Sequence, residues 1–242
     1  MYEALVAMDA PPALIAWASS AQNDDQDSVE LLARNQDPAW TIWISTGAGV
    51  PLRGVIEVVL LEAEQAVERL TEAQAPLREL LELTRHALAR GGDTSAVLSA
   101  AERADAIAEH PPGSYRSLVT QPILAPIATA CAYVARATEA LASAEWGLST
   151  QRLTMAQGHA ALLGMGASAL LPLSGTRALC LNPAALERDP VQRQALFIPA
   201  AAAEAVSQLL LARARELGAP DQGAAEAMNA RITDLLAPLI LA

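Results

Sequence analysis

The chain has 242 residues, of which 52% are hydrophobic but only 3% aromatic, and it carries a formal net charge of −11. All 16 basic residues are arginine, which excludes chemistry built on a Schiff-base, P-loop or kinase lysine. Apolar content supplied by Ala, Leu, Val and Ile favours close-packed helices over a sheet, which would draw on aromatic and β-branched residues.

The first residues, MYEALVAMDAPPALIAWA, lack a basic n-region and place Glu3 and Asp9 where a signal peptide would carry positive charge, so a cytoplasmic location is expected. Helix starts are legible from the capping residues. Asp27 stands as an N-cap with Glu30 three residues on, and Asp37-Pro38, Asn182-Pro183 and Asp189-Pro190 each set a capping side chain before a first-turn proline. Asp24, Asp25 and Asp27 lack the spacing and the glycine of an EF-hand, so a capped helix start is favoured over a calcium loop.

The stretch STGAGVPLRGVI, residues 45–56, tests for phosphate binding. Gly49 and Gly54 have Walker spacing, but Val55 and Ile56 stand where Lys and Ser/Thr belong, and Leu52 replaces the third glycine of a dinucleotide fingerprint. A connector is expected instead, with positive φ at Gly47 or Gly49 ending one helix and Pro51 opening the next.

In the helix expected from Leu52, residues Val55, Ile56, Val59, Leu60, Ala63, Val67 and Leu70 recur at helical spacing and form a core face. On the other side Glu57, Glu64 and Glu68 fall within about 40°, with Glu72 a turn further. Like charges at i, i+4 cost about 0.2–0.5 kcal/mol each, and nothing within this helix offsets Glu64, Glu68 and Glu72. Arg53 is spaced to meet only Glu57. The stripe reads as a solvated face or as a partner-binding surface.

Gly91 and Gly92 stop the next helix, and Pro111 and Pro112 close the one after. Two uncharged stretches, 117–135 and 153–176, reach the length of a membrane span. Their prolines, Gln121, Gln157 and His159 fit central core helices better. Cys131 and Cys180 read as small buried hydrophobes. His86, His110 and His159 lie on separate segments, which gives no zinc pattern. No metal or other cofactor is expected. No nucleophile elbow or other catalytic motif is present, so no enzyme activity is assigned.

Helices are therefore expected near 12–21, 27–35, 38–46, 52–74, 76–90, 94–109, 123–146, 150–171, 184–188, 199–217 and 222–237. Short connectors make consecutive helices antiparallel neighbours. The fold class is all-α, a bundle of about ten helices or a short HEAT-like stack of hairpins, in one domain spanning 1–242. A subdivision at about residue 110 follows the charge. Residues 1–110 hold 18 of the 27 acids and 7 of the 16 arginines, and residues 111–242 hold 9 of each. Acids spread through amphipathic helices place a negative field on an ordered surface, which repels nucleic acid and attracts a basic protein.

Trp40, Trp43-Ile44, a glycine turn, Arg53 with a long helix, and then LRELLELTRHALARGGDTSAVLSAAERADA with Arg85 six residues before Gly91 together resemble the alanine-rich immunity proteins of bacterial polymorphic toxin systems, the Imm5-like group. The resemblance covers about residues 38–145 and implies a cytoplasmic protein that binds and blocks a toxin. Candidate partner contacts are Glu57, Glu64, Glu68, Glu72, Asp24, Asp25 and Trp17, while Trp40 and Trp43 are expected in the core. The alternatives are a scaffold or adaptor of a bacterial assembly, and a helical small-molecule enzyme or sensor with a pocket near Arg152, Gln157 and His159.

Overall fold

Proline, glycine and capping side chains divide the chain into helices and no strand among the described residues. The computed structural model describes residues 1–20, 27–70, 74–91, 94–109, 121–153, 190–218 and 221–240, with backbone alone at 121, 144–153 and 190–195. In chain order the helices are α1 (Tyr2–Ala7), α2 (Pro12–Ala18), α3 (Ser28–Arg34), α4 (Pro38–Gly47) and α5 (Leu52–Glu68). They continue with α6 (Gln74–Arg90), α7 (Ser95–Glu109), α8 (Gln121–Leu153), α9 (Pro190–Leu217) and α10 (Gln222–Ile240). The fold is all-α, as the composition implies.

The caps work as their residues dictate. The Asp27 carboxylate accepts from the N–H groups of Val29 and Glu30, both at 2.9 Å, and Asp37 accepts from Ala39 N–H at 2.9 Å with Pro38 in the first turn. Gly49, at φ 92°, ends α4: its N–H donates to Thr46 O and the Val50 N–H to Ser45 O, each at 3.0 Å. Gly47 stays helical and serves packing instead. A Cβ there would meet Met8 Cε at 3.0 Å and Met1 Sδ at 3.1 Å, so its hydrogen lets α1 lie close on α4.

Four helix boundaries differ from the sequence expectation, the first being that of α5, which ends at Glu68 with Arg69 as its C-cap rather than running to 74. α1 was not expected. It closes on Asp9, at φ 58°, with Asp9 N–H bonded to Val6 O and Ala10 N–H to Leu5 O, and it is held by burial of Leu5 and Ala10. α8 runs unbroken through Gly147 to Leu153, where two helices meeting near 147–149 were expected. α9 starts at Pro190 rather than 199 and carries a buried Pro199 inside it, as α8 carries Pro126. The helices expected over 154–171 and at 184–188 lie outside the described residues.

Residues 123–135, part of the uncharged stretch 117–135, are almost entirely buried, and α8 packs against α5, α6, α7 and α9, most extensively against α9. Alanines make that pairing tight. Ala128, Ala132 and Ala135 of α8, and Ala201, Ala202 and Ala205 of α9, are all buried, and small side chains bring helix axes toward the short end of the usual 8–10 Å range. A hairpin stack would confine each helix to its chain neighbours. Here α8 touches four others, and α9 and α10 both pack on α4 and α5, so residues before and after 110 share one apolar core. Among the described residues one segment, Leu196–Leu217, is long and apolar enough to cross a membrane, and 67% of that window is buried inside the protein.

Candidate functional site

α5 presents acids in two different settings. On its inner side Glu62 is 3% exposed and is gripped by Arg231 of α10, with Nε to Oε1 at 2.9 Å and the terminal nitrogen to Oε2 at 2.8 Å. The Glu62 hydrogen bond holds the Arg231 guanidinium above its ordinary pKa. Nearby, burial pushes Arg69 below its ordinary value, against the opposing pull of Glu216, whose carboxylate lies 3.6 Å from Arg69 and 2.6 Å from Arg213. These contacts stitch α5 to α9 and α10. Asp105 of α7 and Arg136 of α8 form a further bidentate pair, less exposed than the surface ones.

The outer side of α5 carries three of the four acids of the expected stripe. Glu57 and Glu68 are exposed, and Glu64 is half-buried and engaged by Arg85 of α6 through two hydrogen bonds, one of 3.1 Å. Arg85 is raised above its ordinary pKa first by the Glu64 hydrogen bond, with the Glu64 and Glu57 charges adding to it. The offset to like-charge repulsion missing within α5 therefore comes from the neighbouring helix. Arg53 donates to the Leu88 carbonyl of α6. Glu72, Asp24 and Asp25 lie outside the described residues. Exposed carboxylates continue beyond the stripe, with Glu79 and Glu82 on α6 and Glu102 and Glu109 on α7, and of these Glu79 meets Arg103 at 3.2 Å.

A groove of about 530 Å³ opens where the α1–α2 turn, α4 and α9 converge. Met8, Ile15, Trp40 and Trp43 give it an apolar wall, and Asp9, Asp37 and Glu204 give it carboxylates, with no arginine or histidine among its described lining residues. Trp43 is buried as expected. Trp40 is only half-buried, and its ring lies 5.7 Å from that of Trp17 at 51°. The i, i+3 spacing does put both α4 tryptophans on one side, but that side sits at the edge of the bundle, so only Trp43 reaches the core.

A buried polar network fixes the wall that carries Asp37 and Trp40. Asn35 Nδ2 donates to Asp37 O at 2.7 Å and to Thr41 Oγ1 at 2.8 Å, and Asp37 N–H donates back to Asn35 Oδ1 at 3.0 Å. From α10, Asn229 Nδ2 donates to Asn35 O at 2.7 Å while its Oδ1 accepts from the Thr41 hydroxyl. Side chains from distant parts of the chain thus hold the entry to α4 in one conformation. Sequence reasoning missed Asp9, Glu204 and Asn229 because each meets its neighbours only through the fold.

Cys131 is wholly buried in α8, and burial pushes its thiol up to about 12. Among the described residues no three His, Cys, Asp or Glu side chains are placed to hold a metal ion. Cys180, His110, Gln157 and His159 lie outside the described residues, as does the Arg152 side chain. Compared with known protein families, curated proteins and solved structures, the chain matches none.

Proposed function

We propose that this chain acts by binding another protein, that the partner is basic, and that the binding neutralises a toxin in the cytoplasm, the role implied by the Imm5-like resemblance. The observation that carries the reading is the split of acids on α5. Glu62 is spent inside on Arg231, whereas Glu57 and Glu68 stay exposed on the same helix and are continued by Glu79, Glu82, Glu102 and Glu109 on its neighbours. Carboxylates held on rigid helices give a field that steers a cationic partner at enhanced rate, and tight binding then needs buried anchors, for which Trp17 and Trp40 are half-exposed candidates.

Co-purification from the native host tests the reading, run at low salt with the wild-type chain and with Glu57→Gln/Glu68→Gln. Recovery of a basic protein that falls with the variant supports it. Equal recovery with both removes the α5 face as the docking surface, and recovery of no basic protein removes the reading. Toxin neutralisation itself is tested by co-expressing the captured partner with and without this chain. Growth rescue is the expected result.

A further inference from the structure

We propose that α10 is a latch that opens as one unit from α4 and α5 while the α8–α9 pair stays closed. The proposal goes beyond the protein-binding reading and does not rest on it. Of the nineteen residues of α10, Met228, Asn229, Ile232 and Leu236 are buried among the described residues, and one of these four is polar. In α8, by contrast, fifteen of the nineteen residues 123–141 are buried. The seam under α10 also differs in chemistry. α10 packs on α4 and α5 and least on α9, and the buried polar side chains of the described residues that bond across elements are gathered there. Asn229 meets Asn35 and Thr41, and Arg231 meets Glu62. Thr84 and Thr138, buried elsewhere, bond to the Leu80 and Val134 carbonyls of their own helices.

Such a seam is cheap to open. Apolar surface leaving a core gains nothing from water, whereas amide, hydroxyl and carboxylate groups exchange one hydrogen bond for another. Separating Glu62 from Arg231 rehydrates both charges and so recovers the desolvation cost of burying the pair. Arg231 is half-exposed, which brings water to the edge of the seam before it opens. Thr233 of α10 buries its hydroxyl oxygen without a hydrogen-bond partner among the described residues, a cost that opening removes. An element with few buried apolar side chains and many replaceable polar contacts opens below the free energy of global unfolding. Opening also changes what α5 presents, because Glu62 then joins Glu57 and Glu68 as an acid facing solvent.

Native-state hydrogen exchange of the full chain at rising, sub-denaturing urea tests the latch. Amides from Met228 to Leu236 should share one rate, at least about tenfold faster than residues 123–141. Their dependence on urea should be shallow, since little surface is exposed when α10 alone leaves. Asn229→Ala should raise that exchange about tenfold or more. In a Cys180→Ser background the thiol of Thr233→Cys, read by peptide mass, should react with a thiol reagent at least about tenfold faster than Cys131. Should Thr233→Cys fail to fold, as judged by helical circular dichroism, amide exchange carries the test. The proposal is overturned by α10 amides that match the rate and steep urea dependence of residues 123–141, or by rates graded inward from the helix ends. Exchange unmoved by Asn229→Ala, or a Thr233→Cys thiol no more reactive than Cys131, also overturns it.

Discussion

Glu62 and Glu64 stand two residues apart on α5, and each is held by one arginine through two hydrogen bonds, yet their surroundings differ completely. Glu62 is 3% exposed and its partner comes from α10, far along the chain, whereas the Glu64 side chain is 30% exposed and its partner comes from the next helix. The difference teaches that burial, more than pairing, decides what a carboxylate does. An inner acid whose hydration has been removed becomes part of the fold once an arginine answers it, and breaking the pair strands a buried charge. An outer acid loses little when its arginine goes and remains available to a partner.

The sharpest way to break this comparison is Arg231→Ala. It should cost about 3 kcal/mol, toward the low end for an unpaired buried charge because Arg231 itself is half-exposed and water can follow. Urea denaturation measures it, and a loss below about 1 kcal/mol would place Glu62 in the same class as Glu64. Next in size is Asn229→Ala, which leaves the Asn35 carbonyl and the Thr41 hydroxyl without their α10 partner. A loss of about 2 kcal/mol is expected, and hydrogen exchange at the start of α4 should rise with it.

Arg85→Ala should lower the unfolding free energy by less than about 1 kcal/mol, and added salt should erase most of that. Smallest is Ser45→Ala. The Ser45 hydroxyl is fully buried without a hydrogen-bond partner among the described residues, so its removal should be neutral or stabilise by up to about 1 kcal/mol.

Alkaline pH sharpens the account of the α8 core independently. The buried Cys131 thiol is raised to about 12 from an ordinary value of 9.0. Below about 9 both folded and unfolded chains keep the proton. Between 9 and 12 the unfolded chain loses it first, so stability should fall as pH rises through that window. In a Cys180→Ser background, labelling of Cys131 by a thiol reagent at neutral pH should occur only at the rate of opening.

Much of this was legible in the sequence for local reasons. Asp27, Asp37-Pro38, Gly49 and Gly91 mark helix ends through chemistry confined to a few residues. α1 escaped because six residues carry too little periodicity to register, and α8 was divided at Gly147 because glycine lowers local helix propensity, although the backbone stays helical through it. Glu62 left a readable trace. It lies seven residues from Val55 and four from Ala66, on the same apolar face, and a carboxylate set in a core stripe implies a cation arriving from elsewhere. Which arginine answers it was not readable, because Arg231 is close only in the folded chain. The groove was hidden for the same reason, since Asp9 and Glu204 come from opposite ends of the sequence.

The central claim, that acids left outside the fold recruit a basic protein, is tested most directly by stopped-flow association between this chain and the captured partner across ionic strength. The account predicts an association rate that falls steeply with salt, and that drops at low salt in Glu57→Gln/Glu68→Gln while dissociation and urea stability stay unchanged. An association rate indifferent to both salt and the variant would contradict it.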